Sequence, residues 1–282
     1  MKNLLLLLLA FGFLGISNAQ DLNVMSFNIR YNNSGDSLNA WPYRKDFVAS
    51  EILFHDVDYL GVQEALQSQM QDLQDRLPGY KYIGGGRDDG KTKGEYSAIF
   101  YNTKRLKPLE SGMFWLSQTP DVVGSKGWDA NLPRIVTWAK FKDLKTGKTF
   151  FTFNTHFDHQ GQEARRQSAL LLLKKVKELA GNAASVITGD FNASPDSEPM
   201  QLITNKNNPL MLTDAKSISI QPHYGPTGTF NGFKNKELTD YPIDYIFLKG
   251  SWKVKKHATL SPTRGGRFAS DHFALFSKLL LL

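Results

Sequence analysis

Runs of apolar residues short enough to be strands recur along the chain, bounded by polar or turn-forming residues and separated by stretches with helical spacing. Residues 23–31 and 57–63 fit the strand pattern. Leu66, Met70, Leu73 and Leu77 then fall at helical spacing, and Pro78-Gly79 ends that helix. A strand is predicted over 96–101. Strands over 134–141 and 149–155 flank the turn Lys145-Thr146-Gly147-Lys148 and so predict a hairpin. The longest helical pattern covers 162–180, stopped by Gly181-Asn182, and 184–188 returns as a buried strand. No repeat, low-complexity tract or Pro/Gly/Ser linker interrupts the chain between Leu22 and Leu282, so one domain is expected. Many strands with few helices predict sheets packed together and covered by helices.

The first residues depart from this pattern. Met1-Lys2-Asn3 gives a short positive start, Leu4 to Ile16 is an apolar run of thirteen residues, and Ser17-Asn18-Ala19 is a small-residue cleavage site. This reads as a signal peptide over 1–19, cleaved near Ala19, with a catalytic domain over 20–282. A run of thirteen falls short of the roughly 20 residues that span a bilayer. The apolar tail at 278–282 is only strand-sized. A secreted or periplasmic, monomeric product without stable membrane insertion is expected.

Composition narrows the chemistry. With 41% hydrophobic and 12% aromatic residues, the chain is too apolar to be disordered. It has no cysteine, which excludes disulfides, thiolate metal sites, cysteine nucleophiles and a lipidated-cysteine anchor. Any metal must be held by oxygen and nitrogen. The formal charge of +7 drops to +6 without Lys2, a moderate balance that favours an anionic substrate or surface without identifying one.

Polar residues gather where the predicted strands end. Val24-Met25-Ser26-Phe27-Asn28 closes with a carboxamide and Val62-Gln63-Glu64 with a carboxylate. Asn154-Thr155-His156-Phe157-Asp158 and Ile187-Thr188-Gly189-Asp190-Phe191-Asn192 repeat the arrangement. Ile243-Asp244-Tyr245-Ile246-Phe247 and Ser270-Asp271-His272 complete it. Six such ends fit one shared cleft better than six unrelated caps.

The ordered set of Asn28, Glu64, His156, Asp190 with Asn192, Asp244, and His272 closing Ser-Asp-His resembles the endonuclease/exonuclease/phosphatase superfamily, across nearly all of the mature chain. The resemblance implies a four-layer α/β sandwich, two mixed sheets face to face with helices outside, and a metal-dependent site at one end. It also implies that Glu95, opening Glu-Tyr-Ser-Ala-Ile-Phe-Tyr, pairs with the catalytic histidine. The block from Trp128 to Trp138 resembles the deadenylase and nocturnin-like branch more loosely and assigns no substrate.

Phosphoester hydrolysis needs an activated water, neutralised charge and a stabilised leaving oxygen. Catalysis lowers barriers by roughly 8 to 23 kcal/mol, while one preorganised donor is worth about 3 to 4, so several groups must act together. A divalent cation held by Glu64, Asn28 and Asp271 would act as Lewis acid, and oxygen ligands favour Mg²⁺ or Mn²⁺ over zinc. Asp190 is expected to orient or deprotonate water, and Asn192 to hold phosphate or water. His156 and His272 are expected to donate to phosphoryl oxygens, with Glu95 and Asp244 as their carboxylate partners. Arg134 is a candidate phosphate contact, balanced against a solvated strand start. Arg165 is a weaker one, since a helix-surface charge is the commoner role. His159 and His223 read as surface histidines, Trp41, Trp115 and Trp128 as core or rim aromatics, and 227–233 as a cleft-lining turn without the lysine of a P-loop.

The leading expectation is therefore an exported, Mg²⁺- or Mn²⁺-dependent phosphoester hydrolase acting on nucleic acid, a sugar phosphate or a phospholipid headgroup. The alternatives are a nuclease specifically, and a catalytically inactive binding module of the same fold. The intact motif set weighs against the last.

Overall fold

The computed structural model describes residues 20–234 and 240–282; the expected signal peptide lies outside them. In chain order the elements are β1 Leu22–Asn28, α1 Trp41–Phe54, β2 Tyr59–Ala65, α2 Gln67–Arg76, β3 Tyr80–Ile83, β4 Tyr96–Asn102, β5 Leu106–Trp115, β6 Ile135–Asp143 and β7 Thr149–His156. They continue with α3 Gln162–Ala180, β8 Ser185–Asp190, α4 Glu198–Thr204, β9 Thr213–Asp214, β10 Asp244–Lys249 and β11 Trp252–Leu260. A small hairpin, β12 Thr263–Arg264 and β13 Arg267–Phe268, precedes β14 Ala274–Leu281.

Two six-stranded mixed sheets carry the fold, ordered β11-β14-β1-β2-β4-β3 and β5-β6-β7-β8-β10-β9. The pairs β1–β2 and β7–β8 are parallel and their neighbours antiparallel. Three apolar layers separate the four structural ones. Val24, Tyr59, Phe141, Ile246 and Leu275 fill the space between the sheets. Trp41, Val48, Ile52, Met70 and Leu73 press α1 and α2 onto the first sheet, and Leu172, Leu173, Val176 and Met200 press α3 and α4 onto the second. Each such buried side chain contributes about 1.5–3 kcal/mol. This is the expected four-layer α/β sandwich. Among the described residues no helix is long and apolar enough to cross a membrane.

The apolar tail is a central strand, since β14 lies between β1 and β11. The predicted 162–180 helix, the 145–148 turn and the strands at 96–101 and 184–188 appear within two residues of their expected bounds. Helix α1 escaped the pattern because two of its buried positions, Arg44 and Glu51, are charged.

One polar cluster crosses the apolar gap between the sheets. Asn154 on β7 donates from Nδ2 to the carbonyls of Val62 (2.9 Å) and Ala98 (2.8 Å) on the opposite sheet. Its Oδ1 accepts from Gln63 Nε2 (2.7 Å) and Thr188 Oγ1 (3.0 Å), and the Tyr59 hydroxyl meets Thr188 at 2.8 Å. Close approach here requires Gly61: a Cβ at that position would lie 2.2 Å from Thr188 Oγ1.

Candidate active site

The first sheet supplies one wall. β1 ends on Asn28, fully buried, and a bulge between Val62 and Ala65 turns Glu64 out of β2 with φ 64. A left-handed non-glycine residue costs about 1–2 kcal/mol, so neighbours must hold it there. Asn28 Nδ2 donates to Glu64 Oε1 (3.0 Å), and the Tyr31 amide donates to Oε2 (3.2 Å). The same Nδ2 donates to Asp190 Oδ2 (3.0 Å) on the other sheet, while Asn28 Oδ1 accepts from the Arg30 amide (3.0 Å). Asn28 therefore ties two carboxylates together, where the sequence reading had it facing an ion. Asp271 arrives on the turn before β14, fixed by Ser270 Oγ donating to the Asn28 carbonyl (2.7 Å), and lies 3.7 Å from Arg30.

The second sheet supplies three adjacent strand ends, with Asp190 of β8 opposite both His156 of β7 and Asp244 of β10. Asp190 Oδ2 lies 3.4 Å from His156 Nε2 and 3.8 Å from His272 Nε2. His272 Nδ1 donates to Asp244 Oδ2 at 2.9 Å, the pairing expected from the sequence. Asn192, with φ 47, donates from Nδ2 to the Phe157 carbonyl (3.1 Å) and meets His156 Nε2 at 3.0 Å. With the amide oriented by that carbonyl, His156 Nε2 accepts and its ring proton sits on Nδ1, facing Glu95 Oε2 at 4.0 Å. Glu95 meets Arg87 first, through a two-pronged pair at 2.8 and 2.9 Å.

The charges are arranged unevenly. Burial, reinforced by Asp244, pushes the Asp190 carboxyl up to about 7. Burial also raises Asp271, and it raises Glu95 against the pull of Arg87. Burial and the Arg134 and Arg87 guanidiniums hold His156 well below its ordinary value. For His272 burial acts downward too, but Asp244 and Asp190 outweigh it and hold the ring well above.

This donor set suits a divalent cation. Ligand atoms of Glu64, His156 and Asp190 lie within 4.8 Å of one another, as do those of Asp190, Asp244 and His272. The Asp244 Oδ1 atom is buried without a hydrogen-bond partner. Crowded carboxylates are costly in a low-dielectric pocket, and an oxygen-rich set of this kind binds hard cations.

Glu64, Glu95, Arg134, His156, Asp190, Asn192, Asp271 and His272 all line one cleft of about 640 Å³, with Asn28 and Asp244 buried behind its wall. Arg165 does not line it: on the first turn of α3 its Nη1 donates to the Asp158 carbonyl (2.9 Å). Arg134 is buried and bonded to Asp158, so the solvated strand start is set aside. Trp41 and Trp115 are core residues, donating to Asp72 and to the Arg87 carbonyl. Phe230 of the 227–233 turn lines the cleft against the His272 ring.

His159 is a surface histidine as expected, standing exposed where it also lines the cleft, whereas His223 is half-buried, with Nδ1 2.9 Å from Nδ1 of buried His257. Arg30 and Arg87 were missed altogether. The signal for Arg87 was Gly84-Gly85-Gly86, where a Cβ on Gly86 would lie 2.1 Å from the Lys93 carbonyl oxygen, a close approach only glycine allows.

Comparison with known proteins places the chain in a family. The sequence profile of the Endonuclease/Exonuclease/phosphatase family matches residues 25–272. The chain is 28% identical over 239 residues to the uncharacterized protein L388 of Acanthamoeba polyphaga mimivirus, covering 80% of this chain and 87% of that one. It superposes on an endonuclease/exonuclease/phosphatase from Bacteroides vulgatus with TM-score 0.89 and 45% identity, covering 93% of this chain and 100% of the other. A mannosyl-6-phosphatase from Bacteroides thetaiotaomicron VPI-5482 gives TM-score 0.86 and 42% identity, with 92% and 100% covered. With a family match spanning both walls of the cleft, this chain belongs to the endonuclease/exonuclease/phosphatase family and is a phosphoric ester hydrolase.

Proposed function

We propose that the enzyme is a phosphomonoesterase for small phosphorylated sugars, dependent on Mg²⁺ or Mn²⁺ and exported after loss of residues 1–19. The observation that carries this reading is the cation content of the cleft. Its volume of about 640 Å³ is that of a small-molecule site. Among the described residues its lining arginines are Arg30 and Arg134, and each is already paired, with Asp36 and Asp158. A nuclease needs several free cations tracking successive phosphates, and this lining does not offer them. The 42% identity to a mannosyl-6-phosphatase supports the same substrate class.

The residues divide the work as follows. A divalent cation held by Glu64 and Asp271 supplies Lewis-acid neutralisation of phosphoryl charge when bound. Asn28 sets the spacing of Glu64 and Asp190 by donating to both. Asp190, with its carboxyl raised to about 7, is matched to accept a proton from the attacking water near neutral pH. His272, kept cationic by Asp244, donates from Nε2 to the phosphoryl group. Asn192 holds His156 as a neutral ring by donating to its Nε2.

The test is an activity screen of residues 20–282 with and without EDTA. Substrates are mannose 6-phosphate, p-nitrophenyl phosphate, bis-p-nitrophenyl phosphate, single-stranded RNA, duplex DNA and a phospholipid. EDTA-sensitive release of inorganic phosphate from the two monoesters is expected, at least tenfold faster than diester cleavage. Faster cleavage of RNA or DNA would make it a nuclease, and silence on every substrate would favour the binding module.

A further inference from the structure

The reaction as described leaves His159 unused. It follows Asp158, whose Oδ1 accepts from the amides of Gly161 (2.8 Å) and Gln160 (3.0 Å), while Oδ2 accepts from Arg134 Nε at 3.3 Å. A turn wound this closely around one carboxylate fixes where the next residue stands. His159 stands exposed on the cleft rim, with Nδ1 2.9 Å from Arg134 Nη2. A guanidinium has only N–H donors, so His159 Nδ1 accepts and the proton of the neutral ring is on Nε2. Burial and the adjacent Arg134 hold the ring below its ordinary pKa, so it is neutral at pH 7. Among the described residues its Nε2–H has no protein partner.

We propose that His159, oriented by Arg134 and Asp158, is a specificity-determining residue that donates from Nε2–H to a hydroxyl of the substrate's alcohol portion. The inference rests on the phosphomonoesterase reading. The floor of the cleft, with Glu64, Asp190, Asp271 and His272, receives the phosphoryl group, so the part of the substrate reaching the rim is the alcohol. A single neutral donor suits a hydroxyl, whereas a second phosphate would call for a free cation. Phe230 lines the same cleft and adds an apolar aromatic surface there, packed edge-on with the His272 ring.

The experiment compares kcat/KM for mannose 6-phosphate, its monodeoxy analogues and p-nitrophenyl phosphate in the wild type, His159→Ala and His159→Gln, with thermal melts as a check on folding. In His159→Ala the preference for mannose 6-phosphate over p-nitrophenyl phosphate falls by about tenfold, the scale of one lost hydrogen bond. The loss appears in KM, one deoxy analogue ceases to be discriminated, and His159→Gln restores part of the preference. Equal losses on every substrate, or a loss confined to kcat, would overturn the inference while leaving the phosphomonoesterase reading intact. A wild-type enzyme that hydrolyses no monoester would overturn both.

Discussion

His156 and His272 face the same carboxylate oxygen, 3.4 and 3.8 Å from Asp190 Oδ2, and their surroundings drive them to opposite charge states. Around His156 stand the cations Arg134 and Arg87, with Glu95 already bound to Arg87. Around His272 stand Asp244, Asp190 and Asp271. Both rings are buried, and burial alone pushes both toward neutrality. The sign of the neighbouring charge decides the difference, leaving one neutral ring beside Asn192 and one cationic ring paired with Asp244. Two residues that look equivalent in the sequence thus stand in different charge states.

The first way to break this comparison is to remove each ring in turn. His272→Ala should lower kcat by about 10²–10³, the cost of losing a charge-assisted donor to the transition state. His156→Ala should cost roughly tenfold less, because a hydrogen bond involving a neutral ring is about half as strong. Steady-state kinetics with thermal melts decide it. Equal losses in kcat would remove the asymmetry, and a collapse in thermal stability would place the residue in the core.

Glu64→Gln should raise the Mg²⁺ or Mn²⁺ concentration for half-maximal activity by at least about tenfold, with the neutral amide replacing a ligand charge. It should also blunt the rise in melting temperature on metal addition. In the wild type that rise reflects about 2.7 kcal/mol at a hundredfold excess over Kd. An unchanged metal titration would remove Glu64 from the ligand set.

The smallest effect concerns a carboxyl far from either ring. Glu51 on α1 is buried with Oε1 unpartnered, and burial pushes it up to about 8. A folded-state value above the ordinary 4.5 means that stability is full below about pH 4.5 and is lost as pH rises through 8. Glu51→Gln should therefore raise the melting temperature at pH 8 by a few degrees and leave it little changed at pH 4.5. If the two pH values respond alike, the carboxyl is not buried as described.

Much of this fold was legible because its strands are short apolar runs that end on chemistry-bearing residues, as at Asn28, His156 and Asp190. Where burial and polarity conflict, the pattern fails. Helix α1 buries Arg44, whose Nη1 bonds the carbonyls of Ile29 and Ala269, and no periodicity announces such a contact. The site was legible as far as its motif blocks extend. Arg87 and His159 lie outside any family motif recognised in the sequence, and only folding brings them beside Glu95 and Arg134. Glu95 shows the limit most directly: its assigned histidine lies 4.0 Å away, while an arginine the sequence did not single out holds both its oxygens.

The hydrogen-bonded cluster around Asn154 has a consequence for how this enzyme could change over time. It keys the two sheets together beneath the cleft, so the strand-borne residues Asn28 and Asp190 are aligned by the interior. A slide of one strand residue, about 3.3 Å, would break every bond of that key and separate Asn28 from Asp190. His159 on the rim makes none of these bonds, so its exchange would leave the spacing of Asn28, Glu64 and Asp190 unchanged.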